Sequence, residues 1–501
     1  MSTAKLTRAD WQARAAALNF RGQAFIDGRY TDAVSGETFA CINPANGRTL
    51  TQIAACDAPD ADLSTAAARR VFEAGSWSRM PPRERKAIMI RFADLLDAHV
   101  DELALLETLD MGKPISDSTT IDIPGAARCL RHYGEAIDKV YDEIAPTADS
   151  ALGLITREPV GVVAAIVPWN FPILMATWKI APALAAGNSV ILKPSEKAPL
   201  TAIRVAELAL EAGLPAGVFN VLPGYGHTVG KALALHADVD CIAFTGSTAV
   251  GKLIMQYAGQ SNLKRCWLEC GGKTPNIVFA DAPDLDAAAE AAAFAIFFNQ
   301  GEMCTAGSRL LVEASIKDIF LDKVVAAGER MPPGDPLDPA TRVGAIVDDL
   351  QLDRVLGYIE AGKQAGATVR LGGGRMFTES GGYFVAPTIF DNVRNDMPIA
   401  QEEIFGPVLS TLAFEDEEEA VRLANDTPYG LAAAVWTSNI SRGHRLARRL
   451  RAGTVWVNCF DEGDLTVPFG GFKQSGNGRD KSLHALDKYT ELKTTWIDLT
   501  R

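Results

Sequence analysis

The chain has no apolar segment able to cross a bilayer. Its most apolar stretch, 160–193, is interrupted by Pro168, Asn170, Pro172, Lys179, Pro182 and Asn188, a combination that a spanning helix rarely accommodates; no membrane span is expected. Residues 1–20 mix charges with short apolar runs and lack the uninterrupted apolar core of a secretory signal, so the expected location is the cytoplasm. There is no long basic run, and 62 acidic against 49 basic residues give a net charge of −13. That balance argues against a nucleic-acid partner. The eight cysteines, at 41, 56, 129, 241, 266, 270, 304 and 459, show neither zinc-ligand pairing nor the density of a disulfide framework. Reduced thiols and no metal site are expected. Internal repeats, low-complexity tracts and flexible linkers are also missing.

What is present is a chain of 501 residues, 48% hydrophobic, enough for two or three large domains. Helical periodicity occupies 66–74, 83–109 and 124–141. From 160 onward, strand-like runs at 160–167, 189–192, 218–222 and 241–244 alternate with helical runs at 173–186, 198–212 and 227–235. That rhythm is typical of a parallel sheet built from β-α-β units. A second alternating series runs from 276 to 458, with strands at 310–313, 408–414, 432–436 and 454–458. Two α/β units meeting near Gly271 and Gly272 are predicted. Segments 147–158 and 489–499 are rich in β-formers and lie outside both series, which suggests an added sheet used for assembly.

Three glycine motifs compete for a phosphate. Gly224-Tyr225-Gly226-His227-Thr228-Val229-Gly230 approximates the dinucleotide fingerprint with one residue too many in its last interval. Gly246-Ser247-Thr248-Ala249-Val250-Gly251-Lys252-Leu253 nearly spells a P-loop, but Leu253 stands where a magnesium-binding hydroxyl belongs, which disfavours an ATPase. This segment follows the strand 241–244 and opens a helix, so its N–H groups suit a pyrophosphate and Ser247 adds a hydroxyl; a plain strand-to-helix turn is the alternative. Gly372-Gly373-Gly374 reads as a loop. After the strand 189–192, Glu196 suits ribose hydroxyls and disfavours a 2′-phosphate, pointing to NAD over NADP. The alternative is a helix start capped by Ser195 with Glu196 in its first turn.

A helical run, 286–298, ends in Asn299-Gln300-Gly301-Glu302-Met303-Cys304, a thiol in a glycine-flanked bend. A thiolate there would be a strong nucleophile, its usual pKa of ~8.5 being open to local adjustment. Burial as a small hydrophobe is the ordinary alternative for any cysteine.

At this point the sequence resembles the aldehyde dehydrogenase superfamily. Cys304 falls in its nucleophile motif, Val167-Pro168-Trp169-Asn170-Phe171-Pro172 is similar to its oxyanion segment and Lys193-Pro194-Ser195-Glu196 to its ribose segment. Phe244-Thr245-Gly246-Ser247 matches its pyrophosphate turn, Leu268-Glu269-Cys270-Gly271-Gly272-Lys273 its general-base motif and Glu402-Glu403-Ile404-Phe405-Gly406-Pro407 its nicotinamide-ribose motif. The motifs occur in the family's order and span essentially 20–500.

The resemblance implies an α/β fold with a Rossmann-like NAD(P)-binding domain (1–140 and 160–271), a catalytic domain (272–470) and a small β extension for oligomerisation (141–159 and 485–501), assembled as a homodimer or homotetramer. It implies Cys304 as nucleophile, Asn170 and the Cys304 N–H around the oxyanion, and Glu269 as general base. NAD, with NADP possible, is expected against Ile166, Trp169, Lys193, Ser195, Glu196, Gly226, Gly230, Phe244, Gly246, Ser247, Cys270, Glu403 and Phe405. Glu269 favours hydrolysis over transfer to coenzyme A, and Cys304, Asn170 and Glu269 together argue against a catalytically idle relative.

Two departures stand out: Cys270, where Leu or Met is frequent, is placed to influence oxidation of Cys304, and Glu302 replaces a frequent Gln. The run from Asp464 to His484, and that from Asp122 to Arg128, resemble the γ-glutamyl-γ-aminobutyraldehyde dehydrogenase branch. That branch works in putrescine and arginine breakdown, oxidises ω-amino and guanidino aldehydes and uses NADP as well as NAD. A broad-specificity or betaine-type enzyme is the alternative. The expected substrate tunnel comprises Asp122, Phe171, Met175, Trp178, Asp461 and Phe469. Asp461, Glu462 and Asp464 either attract a cationic aldehyde or form a solvated acidic loop.

Overall fold

A computed structural model describes residues 6–500. Its first sheet has seven strands in the order Arg265–Glu269, Cys241–Thr245, Val162–Ile166, Ser189–Lys193, Phe219–Val221, Ala24–Ile26 and Arg29–Thr31. The first five are parallel. The central three are apolar and buried almost throughout, the pattern of strands covered by helices on both faces. From Val162–Ile166 the chain builds outward to Ser189–Lys193 and Phe219–Val221, then crosses back to add Cys241–Thr245 and Arg265–Glu269 on the other side. The reversal leaves a crevice beyond the carboxyl ends of Val162–Ile166 and Cys241–Thr245, where ligands bind in sheets of this kind.

The last two strands of this sheet are an antiparallel hairpin that periodicity does not reveal. Its turn is Asp27-Gly28, both with positive φ (53° and 76°), the two-residue turn that Asp-Gly favours.

The second sheet also has seven strands, in the order Thr368–Leu371, Thr388–Asp391, Val408–Phe414, Arg309–Glu313, Pro275–Val278, Ala432–Trp436 and Thr454–Val457; only the first pairs antiparallel. Between the sheets the chain crosses at Cys270–Gly271–Gly272, and Cys304 lies between the helix Leu285–Phe297 and the strand Arg309–Glu313.

The helical run expected over 83–109 is two helices, Pro82–Ala98 and Val100–Met111, parted at His99 (φ −105°, ψ 21°). The run expected to 141 ends with the helix Ile123–Ala136. The two β-rich segments outside both series pair with each other: Thr490–Asp498 lies antiparallel on Ala151–Pro159, with Glu143–Ala145 on the far side. Leu492 and Trp496 of this third sheet are 62% and 64% exposed. Among the described residues no helix is long and apolar enough to cross a membrane.

Candidate active site

Cys304 follows three residues in left-handed backbone, Asn299, Gln300 and Gly301 (φ 49°, 57° and 71°). Such geometry is costly outside glycine and persists only when its surroundings hold it. Here they do: Asn299 Nδ2 donates to the carbonyls of Asn170 and Glu302, both at 3.0 Å, and Gln300 Oε1 accepts from the Gly344 N–H at 3.0 Å. Gly301 packs so tightly against Gly406 and Pro407 that any side chain would collide. The bend therefore presents the thiol at a fixed place, where two cavities of about 230 Å³ each meet; among the described residues, only Cys304 and Met175 line both.

The first cavity lies over the crevice of the first sheet and is lined by Trp169, Asn170, Gly246, Ser247, Cys270, Glu403 and Phe405. Ser247 caps the helix Thr248–Gln260, its Oγ accepting from the Val250 N–H at 3.3 Å, which leaves its own hydrogen to donate. The Glu403 carboxyl accepts from the Gly272 N–H at 2.9 Å and fills the space a side chain at Gly271 would need. Burial pushes its pKa up to about 7. Trp169 and Phe405 meet edge to face at 5.2 Å. Gln351 and Arg354 line the same cavity and hold its floor: Gln351 donates to the Phe405 carbonyl at 2.8 Å and Arg354 to that of Glu403 at 2.7 Å. Both stand on one helix, Asp349–Gln364, and no local motif announces them.

The remaining residues expected at the cofactor line neither cavity. Ile166, Lys193 and Phe244 sit at or near the carboxyl ends of adjacent strands, and Lys193 pairs with Glu196 at 3.0 Å. Ser195 does not cap a helix, because the next helix begins only at Leu200; its Oγ accepts from the Lys197 N–H at 3.3 Å in a tight turn. Pro199, one residue before Leu200, lacks the N–H that an earlier start would use. Gly226 and Gly230 bound a π-helical turn after Phe219–Val221.

The second cavity is lined by Phe171, Met175, Trp178, Asp461 and Phe469 together with Ile121, Phe298, Thr305, Trp456 and Lys481. Asp122 is not in this wall. It is fully buried behind it and paired with Lys113 at 3.0 Å, since the helical turn that exposes Ile121 points the next side chain inward. Asp464 is exposed and outside the cavity. Asp461 and Thr305 share this wall, and the protein surrounding the Asp461 carboxyl pushes its pKa up to about 7.

Asn170 is buried, and its Nδ2 donates to the Glu302 carbonyl at 2.9 Å. Glu269 closes the edge strand with both carboxyl oxygens buried and unpartnered. It packs against Gly470 and Gly478 and lines neither cavity. Burial, then the charge of Asp480, raises its pKa well above the usual carboxylate range against the pull of Lys179, Lys488 and Arg479. Burial, with Glu403, Asp461 and Glu269 nearby, likewise pushes the Cys304 thiol up to about 12. Cys270 shares the first cavity with Cys304 and is itself pushed up to about 12 by burial and by Glu269. Glu302 is fully buried, one oxygen accepting from the Val347 N–H at 3.1 Å and the other unpartnered.

A thiol shared by a crevice at a sheet's switch point and a largely apolar cavity is the central feature of the site. The sequence matches the aldehyde dehydrogenase family over residues 30–495, and the chain belongs to that family. It is 55% identical over 489 residues to the NADP/NAD-dependent aldehyde dehydrogenase PuuC of Escherichia coli, covering 98% of each chain. Among solved structures it is similar to γ-glutamyl-γ-aminobutyraldehyde dehydrogenase of Burkholderia cenocepacia (TM-score 0.97, 66% identity, 99% of this chain and 100% of that one). It is likewise similar to the indole-3-acetaldehyde dehydrogenase AldA of P. syringae bound to NAD+ and IAA (TM-score 0.98, 67% identity, 99% and 100%).

Proposed function

We propose that the chain oxidises an ω-amino or guanidino aldehyde, such as γ-glutamyl-γ-aminobutyraldehyde, to its carboxylate with NAD(P) as cofactor. The observation that carries the chemistry is the position of Cys304 where the cofactor-side and substrate-side cavities meet. The first cavity fits a dinucleotide: a capped helix start faces it, and the Thr245 hydroxyl in its wall is buried without a partner. Lys193, Glu196 and Glu403 have the hydrogen-bonding groups for ribose hydroxyls, and the helix start suits a pyrophosphate.

Cys304 Sγ gives its proton to water and bonds to the aldehyde carbon as the carbonyl π pair moves onto oxygen. The oxygen that gains charge takes hydrogen bonds from the second Asn170 amide hydrogen and from the Cys304 N–H. Collapse of this adduct with loss of hydride leaves a thioester on Sγ; bound NAD(P)+ supplies the hydride acceptor. Glu269 then removes a proton from water, which attacks the thioester carbon; the Sγ–C bond breaks to release the acid, and the proton passes from Glu269 to Sγ to restore the thiol. For that step Glu269 must turn from its buried position toward Cys304.

The substrate class draws on the relatives and on Asp461 in the tunnel. A second reading, an arylacetaldehyde, is favoured by the aromatic wall of Phe171, Trp178, Phe298, Trp456 and Phe469 and by the likeness to AldA. Steady-state kinetics with γ-glutamylamino, guanidino, indolyl and simple aldehydes, each with NAD and NADP, decides between them: the first reading expects the highest kcat/KM for the nitrogenous aldehydes. Cys304→Ala should abolish turnover while NAD binding, read by fluorescence quenching, persists; loss of both would make Cys304 structural. The first and second sheets serve as cofactor-binding and catalytic units, and the third sheet joins subunits through Leu492 and Trp496. Scattering measurements on Leu492→Glu/Trp496→Glu should show a smaller particle.

A further inference from the structure

Lys481 reaches into the substrate cavity in a way the chemistry above does not use. Its ammonium lies 5.0 Å from the Trp178 ring centroid and 5.7 Å from that of Phe469, an arrangement that orients a cation without neutralising it. Asp461, Asp464 and Asp480 act on it through space, with no hydrogen bond to any of them. The backbone that presents it is strained: Lys481 and Ser482 are both left-handed (φ 60° and 48°). The surroundings hold that strain on every side. Asp480 is buried and bonded to both Lys179 and Lys488, and its main chain exchanges two 2.7 Å hydrogen bonds with Phe469. The Ser482 N–H donates to Leu465 at 2.6 Å and the Tyr133 hydroxyl to the Ser482 carbonyl at 2.9 Å. Left-handed backbone fixed this firmly at a cavity wall marks a side chain placed for use.

The cavity wall therefore carries both an acidic and a basic side chain. Asp461 and Thr305, the residue after the nucleophile, line one part of the wall, and Lys481, which Asp461 influences through space, lies over Trp178 and Phe469 beside Gly463. We propose that Lys481 is a specificity-determining residue that receives a carboxylate at the far end of the aldehyde, while Asp461 takes an N–H nearer the reacting carbon. The chemical class so selected is an aldehyde with an internal amide or amine and a distal carboxylate, which narrows the proposed function and rests on it. A purely cationic tail would meet Lys481 unfavourably.

The test compares γ-glutamyl-γ-aminobutyraldehyde with N-(4-aminobutyryl)-4-aminobutyraldehyde, which lacks only the carboxylate, in the wild type, Lys481→Met and Lys481→Arg. The wild type should favour the carboxylated aldehyde in kcat/KM by about tenfold, the scale of one charge-assisted hydrogen bond. Lys481→Met should bring the ratio near one, and Lys481→Arg should restore most of it. For 4-guanidinobutyraldehyde, Lys481→Met should raise kcat/KM relative to hexanal. A wild-type ratio that Lys481→Met leaves unchanged, or an equal fall for both aldehydes, would overturn the assignment. Should the wild type handle neither aldehyde better than hexanal, the proposed substrate class fails. The ratio of 5-oxopentanoate to pentanal then decides on Lys481 separately: a fall in the Met variant upholds the carboxylate role, and no change rejects it.

Discussion

The side-chain amide of Asn170 donates to the backbone carbonyl of Glu302 at 2.9 Å, so the segment after the strand Val162–Ile166 is tied directly to the bend that carries Cys304. One amide hydrogen anchors the side chain, and in the proposed mechanism the other is given to substrate. Asn170→Asp replaces that donor with a carboxylate facing a carbonyl and a developing oxyanion. It should lower kcat about 10²–10³-fold, the usual effect of losing an oxyanion donor, and thermal stability should fall as well because the new carboxylate is buried against a carbonyl. Single-turnover hydride transfer measures it; a change in KM alone would place Asn170 in uniform substrate binding.

Asp480 is the centre of a buried triad with Lys179 and Lys488. Burial would raise its pKa, but the two ammonium groups outweigh this and hold it below the usual range. Asp480→Asn leaves two buried cations without a counter-charge, a change expected to cost roughly 3–5 kcal/mol. Urea unfolding of the variant should show the loss. Replacing all three residues with apolar ones of similar volume should destabilise less, because no buried charge is then left unpaired.

Glu403 gives a pH signature in stability. Its folded-state pKa, pushed to about 7 by burial from an ordinary 4.5, means the native state holds this proton more tightly than the unfolded chain. The associated stability is present below the unfolded pKa and lost as pH rises through about 7. Melting temperatures of the wild type should therefore fall relative to Glu403→Gln between about pH 5 and pH 8. Parallel curves would show that Glu403 keeps its ordinary pKa.

Much of this architecture is legible in the sequence because buried parallel strands leave short apolar runs, as at Val162–Ile166 and Val408–Phe414, and because helix starts carry caps such as Ser247. The hairpin Ala24–Ile26/Arg29–Thr31 escapes periodicity since three residues cannot establish a period, although its Asp27-Gly28 turn is a local signal. At the site, contiguous motifs locate Asn170, Cys304 and Glu403. Gln351, Arg354 and Lys481 reach the cavities from distant segments and gain meaning only through folding. Asp122 shows the converse: its place in a recognisable run does not settle which way a side chain turns, and Ile121 takes the cavity wall instead.

Glu269 supplies the kinetic prediction. Its carboxyl is buried, without a protein hydrogen-bond partner and favoured in the neutral form, whereas the proposed water-activating step requires the ionised form. The rate of thioester hydrolysis should therefore increase with pH along an acidic limb that reports Glu269. Glu269→Gln keeps the size of the side chain and removes the base, so the limb should disappear and kcat should fall about 10²–10⁴-fold, the range typical of general-base loss. Hydride transfer in the first turnover should survive, leaving a burst of NADH near one equivalent and a thioester on Cys304 detectable by mass spectrometry. A variant that loses the burst as well would assign Glu269 to an earlier step, deprotonation of Cys304, where the thiol pKa of about 12 also creates a need for a base.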